Sequence, residues 1–247
     1  MKTTTPATPA TTDAPAPLRA PPGRLVALEL RVLAELPRFF LGTRTLDHLR
    51  RGDGHAVMVV PGWGLDDRAT IPLRRALGRL GYAAYGWELG RNMGIRQGQR
   101  QRLVARLATL AAAHGGPVSL IGWSLGGVVA RELARHAPTH VRRVFTLGSP
   151  ISGSPEANNV TTLLKLLRKR PAAVDRATFD ARRPAPPVAC VAIHSKTDGV
   201  VAWRCSLEEP AAHTENVEVR GSHGGLIVNL EVLTVLAERL PRPPQPA

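Results

Sequence analysis

Near the middle of the chain, Gly122-Trp123-Ser124-Leu125-Gly126 sets a serine between glycines two residues to either side, and Gly127 follows. The segment lies between an apolar run, PVSLIG, and a helical pattern over Val128–His136. A serine in so sharp a strand-to-helix turn needs small neighbours two residues away, so that strand and helix can approach, and it presents its hydroxyl at the strand end. The helix N-terminus behind it favours negative charge developing there. Such a hydroxyl becomes a nucleophile only when a base takes its proton and a third group holds that base in the right tautomer. His223, in RGSHGGL, and Asp198, in SKTDGVV, suit those two tasks, because each directly follows a strand-like run. If those runs are parallel strands, their carboxyl ends share one sheet edge and the three loops converge there. The order Ser, Asp, His along the chain fits a site of this construction.

The remaining candidates are weaker. His55, His114, His136, His140 and His213 flank elements without a turn motif and read as solvated, while His194 lies within the Asp198 strand, as core or as a neighbour of the site. Asp175 and Asp180 fall in a long connection, and Glu208 and Glu209 follow the acid loop as alternative acids. An oxyanion needs two backbone N–H groups aimed at it. Leu125, the residue after the serine, is expected to supply one, and Trp63, beside Gly62 in VVPGWG, the other. In WELGRNMG (87–94), Arg91 and Asn92 either touch a polar part of a substrate or form a capping turn. Trp123 is expected to shape the pocket with Trp63. No metal or cofactor is expected: Cys190 reads as buried in a strand, Cys205 as part of a loop, and no CxxC or HxxxH spacing accompanies them.

The elements that must position these residues alternate along the chain. AVMVV (from Ala56), YAAYGWE, PVSLIG, VRRVFTLGSP, PPVACVAIHS and ENVEVRG read as strands. Apolar residues at helical spacing mark Asp67–Leu80, Gln97–Ala113, Val128–His136 and Leu226–Leu240 as helices. Short apolar strands separated by amphipathic helices predict an α/β fold, a mostly parallel sheet with helices on both faces. Ahead of it, RLVALELRVLAEL (24–36) predicts a helix that Pro37 ends. Arg24, Arg31 and Glu35 fall on a narrow stripe, leaving a wide apolar face broken only by Glu29. That helix is expected either to dock on the domain or to serve as an interfacial contact with a membrane or partner. Residues 151–186 are too long for a plain crossover and read as a cap, with a short apolar helix over Val160–Leu167. Residues 1–23 and 241–247, rich in Thr, Pro and Ala, read as flexible tails around a 24–240 domain.

Composition narrows the classes. Of the 247 residues, 43% are hydrophobic, enough for one domain with a sizeable core. The net charge of +14 raises the question of an anionic partner, but the arginines are scattered and aromatics are only 4%, so nucleic acid is not expected. Neither a secretory apolar run nor a span of about 20 apolar residues is visible, which makes the cytoplasm the expected location.

With these pieces in view, residues from about 56 to 240 resemble the α/β-hydrolase superfamily, in particular its small bacterial lipase- and esterase-like members. The resemblance rests on PGWG for the oxyanion turn, LIGWSLGG for the elbow, TLGSP, SKTDGVV for the acid and GSHGGL for the base. Pro61 and Trp123 stand where histidines are commoner, before the glycine and before the serine. The resemblance implies a cofactor-free serine hydrolase acting on a small-molecule or lipid ester. Acyl transfer or thioester cleavage would use the same three residues, and a hydrolase scaffold kept as a non-catalytic binding module is the competing expectation.

Overall fold

The computed structural model describes residues 19–43, 46, 48–95, 97–153 and 182–243. Six strands, β1 (Ala56–Val60), β2 (Ala83–Gly86), β3 (Val118–Trp123), β4 (Val141–Leu147), β5 (Ala189–His194) and β6 (Thr214–Glu218), form one sheet in the order β2-β1-β3-β4-β5-β6. Every neighbouring pair is parallel. The predicted α/β architecture is therefore present. Helices α3 (Ile71–Arg79), α4 (Gln97–Ala113) and α5 (Leu125–His136) cross between the first four strands, and α6 (Leu230–Arg239) follows β6.

Two-sided burial explains why β1 reads as an unbroken apolar run. Val57 and Val59 face Leu73 and Leu77 of α3 and Leu233 and Leu236 of α6 in one core layer. Ala56, Met58 and Val60 face the other layer, with Leu103 and Leu107 of α4 and Leu133 of α5. From β1 the chain steps outward to β2 and then returns past it to β3. The crevice at the carboxyl ends of β1 and β3 is thus a topological switch point, the place where open α/β sheets bind ligands.

Several boundaries differ from the sequence reading, and the helix expected over Asp67–Leu80 opens as a 3-10 turn, Asp67–Thr70, ahead of α3. Helix α5 starts at Leu125 rather than Val128, directly after the serine. The last helix begins at Leu230, because residues Gly224–Val228 form a 3-10 turn and Asn229, in an extended conformation, caps α6 by accepting from Glu231 and Val232 N–H. Pro37 does not end the N-terminal helix. The chain forms α1 (Gly23–Leu28), a 3-10 turn (Glu29–Arg31) and α2 (Val32–Gly42), with Pro37 inside α2. Phe39, 1% exposed in the core, anchors the turn beyond it, and Pro37 itself is exposed, so water can satisfy the carbonyl that a proline leaves unbonded.

The N-terminal helices also dock the other way round from what their pattern suggests. Their polar residues Glu29, Arg31 and Glu35 point inward, onto the loops after β5 and β6. Val26, Leu28, Leu30, Leu33, Leu36, Phe40 and Leu41 are left exposed, seven of the ten large apolar side chains exposed among the described residues. Most of the 151–186 stretch expected to form a cap lies outside the described residues, as do residues 1–18. The chain on either side of that stretch is held: Ile151 and Ser152 N–H donate to Cys205 carbonyl, both at 2.9 Å, and Arg131 donates to the carbonyls of Arg182, Arg183 and Pro184.

Candidate active site

Ser124 sits between β3 and α5 at φ 54° and ψ −123°. A non-glycine residue at positive φ costs about 1–3 kcal/mol and persists only where its surroundings enforce it. Here Ser124 N–H donates to Leu147 carbonyl at 2.8 Å, and Gly127 N–H to Ser124 carbonyl at 3.0 Å. The flanking glycines have a steric reason. A Cβ on Gly122 would strike the backbone of Gly126 and Gly127, one on Gly126 the carbonyls of Val60 and Pro61, and one on Gly127 the Ser149 hydroxyl. Leu125 is the first residue of α5, where backbone N–H groups have no partner within the helix.

Asp198 and His223 meet. Asp198, buried, uses one carboxylate oxygen to accept from Val200 and Val201 N–H, both at 2.8 Å. Its other oxygen lies 2.7 Å from His223 Nδ1. That bond leaves Nε2 as the ring nitrogen free to exchange a proton. Burial works against protonation of the imidazole, yet the charge and hydrogen bond of Asp198, reinforced by the charge of Glu29, hold the His223 pKa above its ordinary value.

Two contacts tie this pair to the residues around the serine. Trp123, the residue before Ser124, donates its indole N–H to His223 carbonyl at 3.0 Å. Gly148, the residue after Leu147, sits at φ 56° with its backbone under the pair: a Cβ there would lie 3.0 Å from Asp198 Oδ2 and 3.1 Å from His223 Nδ1. The residue bonded to the Ser124 amide thus adjoins the residue on which Asp198 and His223 rest.

The turn after β1 also lies against Ser124. A Cβ on Gly62 would come within 3.5 Å of Ser124 Cβ. Half-buried Trp63 follows in that turn. Asn92 holds the turn in place. Its Nδ2 donates to Pro61 carbonyl and its carbonyl accepts from Gly64 N–H, both at 2.7 Å, while its own N–H donates to Leu65 carbonyl at 2.8 Å.

Several expectations are corrected by this geometry. Asn92 is fully buried with its amide engaged, so it shapes the turn and does not face substrate. Arg91 is exposed on the same loop. Trp123 is buried with its N–H bonded to the base loop, which makes it first a support of His223. Glu208 is not an acid for the histidine: it forms a buried ion pair with Arg131 at 2.7 Å, and exposed Glu209 pairs with Arg183. His194 stacks on Trp203 at 5.6 Å, and burial lowers its pKa. His55 is not solvated but buried, bonded to Asp53 and to Ser119 Oγ. Cys190 and Cys205 are both buried, and no disulfide joins them. Asp175 and Asp180 lie outside the described residues. No three His, Cys, Asp or Glu side chains gather to hold a metal ion among the described residues.

The sequence reading missed Gly148, although TLGSP displayed it, and it missed Glu29, which accepts from His223 N–H at 2.9 Å. The one signal for Glu29 was a carboxylate interrupting an otherwise apolar helix face.

A family model described as the alpha/beta hydrolase family matches residues 57–246. The chain belongs to that family. Among curated relatives, this hydrolase is 32% identical over 103 residues to the pimeloyl-(acyl-carrier protein) methyl ester esterase of Shewanella sp. (strain MR-7). The match covers 40% of this chain and 36% of the esterase. Among solved structures, Bacillus licheniformis lipase BlEst2 in its mature form superposes with a TM-score of 0.59 at 17% identity, covering 79% of this chain and 96% of the lipase. Aspergillus fumigatus lipase B gives 0.59 at 14% identity, covering 80% of this chain and 55% of its own. These likenesses to solved structures establish the shared fold. The hydrolase also has no helix long and apolar enough to cross a membrane among its described residues.

Proposed function

We propose that this hydrolase cleaves carboxylic esters through an acyl-enzyme on Ser124. The observation that carries the reading is the buried Asp198–His223 bond of 2.7 Å resting on Gly148, one residue beyond the acceptor of the Ser124 amide. Ser124 Oγ attacks the ester carbonyl carbon while His223 Nε2 takes its proton. Asp198 fixes the tautomer and stabilises the imidazolium without taking the proton itself. The N–H groups of Leu125 and Trp63 receive the developing oxyanion, whose stabilisation contributes about 3–4 kcal/mol per donor in comparable sites. As the tetrahedral intermediate collapses, the carbon–oxygen bond to the alcohol breaks and His223 returns the proton to the departing oxygen. Water then attacks the acyl-enzyme, His223 takes its proton, and Ser124 leaves with that proton as the acid is freed.

The name of the Shewanella relative, a methyl ester esterase, supports an ester as substrate. Turnover of p-nitrophenyl esters of increasing chain length, with wild type beside Ser124→Ala, tests the reading. Wild type should turn over at least one chain length, and the variant should lose about 10⁴-fold or more in kcat while remaining folded. Full turnover in the variant would remove Ser124 from the chemistry.

The outer face of α1 and α2 supports a lipid surface as the place where the enzyme meets its substrate. Leu30 and Leu33 are 73% and 74% exposed. Exposed Arg24 and Arg38 lie on the same helices, and the chain carries a net charge of +14. An apolar face with cationic flanks is what binds the interface of an anionic bilayer.

A further inference from the structure

The α1–α2 segment reaches the site through charged side chains, and one of them bonds both the His223 backbone and the residue after Asp198. Glu29 Oε1 accepts from Gly199 N–H at 2.8 Å and from His223 N–H at 2.9 Å. Its Oε2 accepts from Gly224 N–H at 3.0 Å. Gly199 follows Asp198, so a single carboxylate joins the acid loop to the base residue. A carboxylate accepting three backbone N–H groups is held more strongly than neutral acceptors would be.

The neighbouring residues reinforce the position of Glu29. Arg31 donates to Thr197 carbonyl at 2.8 Å and Thr197 Oγ1 at 2.7 Å. Glu35 accepts from Ser222 N–H at 2.9 Å and bonds the Ser222 hydroxyl. The backbones themselves touch, since a Cβ on Gly199 would strike Leu25 carbonyl.

On the reading that Ser124, His223 and Asp198 form the catalytic set, we infer that Glu29 is a positioning residue: it fixes the spacing of the acid and base loops and thereby the aim of His223. A helix docked only for stability could sit anywhere on the domain. This one delivers a carboxylate to the amide of the base itself, from 194 residues away in sequence. The charged groups around His223 are Asp198 after β5 and Glu29 from the 3-10 turn, with Glu35 and Arg31 on the adjoining Ser222 and Thr197.

The test compares Glu29→Gln with Glu35→Gln in the full chain, following kcat, KM and the pH dependence of kcat/KM alongside thermal unfolding. Glutamine at 29 keeps one acceptor, places an N–H₂ against a backbone N–H, and removes a negative charge near the imidazole. The expected result is a fall in kcat of about tenfold to a hundredfold with KM little changed. Since Glu29 favours the protonated imidazole, its loss should also move the acid limb of kcat/KM to lower pH. Glu35→Gln should lower the unfolding temperature and leave the acid limb in place. Wild-type kcat and limb in Glu29→Gln, or an equal limb shift in Glu35→Gln, would overturn the inference. If Glu29→Gln does not fold, Glu29→Asp decides: it keeps the charge but shortens the reach, so kcat should fall with the limb unmoved, and wild-type kcat would overturn the role. Turnover surviving in Ser124→Ala would instead refute the catalytic reading on which the inference rests.

Discussion

Replacing Gly148 by alanine perturbs the acid–base pair without altering any group that takes part in chemistry. Two effects add. Gly148 sits at φ 56°, where an L-residue costs about 1–2 kcal/mol. The new methyl would lie 2.7 Å from Leu226 Cδ1, 3.0 Å from Asp198 Oδ2 and 3.1 Å from His223 Nδ1. Leu226 is fully buried, so overpacking adds about 1–3 kcal/mol. A combined loss of about 2–5 kcal/mol lowers the unfolding temperature of a domain this size by about 4–20 °C. The methyl must also displace the imidazole or carboxylate by a few tenths of an ångström. Because misplacement by about 1 Å can cost 10²-fold, kcat should fall by about tenfold. Calorimetry and ester turnover, both run well below the lowered unfolding temperature, measure the two effects separately. A variant with wild-type kcat and wild-type stability would refute the placement of Gly148 under the pair.

Asn92→Ala should destabilise the protein by about 1–3 kcal/mol, since it leaves Pro61 carbonyl without its buried donor. It should also lower kcat with KM little changed, because the turn carrying Trp63 loosens; a rise in KM alone, with stability intact, would return Asn92 to a substrate contact. For the outer helix face, flotation with vesicles containing anionic phospholipid should recover wild type, and Leu30→Ser with Leu33→Ser should weaken binding by about tenfold or more. Equal binding by the double variant, or a wild type that ignores vesicles and forms dimers through this face in sedimentation, would contradict a lipid contact.

The sheet was legible in the sequence because burial on both faces turns each central strand into an apolar run, as at Ala56–Val60 and Val118–Trp123. The elbow was legible because its steric demands admit little but glycine at 122 and 126. Asp198 and His223 could be placed because parallel strands deliver their following loops to one edge. What could not be read were the partners supplied from afar. The N-terminal helices bury their charged side because amides at Gly199, Ser222, His223 and Gly224 need acceptors, and a periodicity argument assigns apolar faces to cores. His55 looked solvated because its partner Ser119 is 64 residues away. Asn92 was ambiguous between turn and substrate until its burial decided for the turn.

The most direct measurement is peptide mapping after reaction with a fluorophosphonate, which phosphonylates only a serine activated for attack. It separates a working hydrolase from a scaffold retained for binding, whatever the natural ester. Wild type should carry the adduct on the peptide containing Ser124, at a rate that falls by about 10³-fold or more in Asp198→Asn, where the imidazole can take the wrong tautomer. An unlabelled wild type, or an adduct on Ser149 or another serine with Ser124 unmodified, would contradict the account.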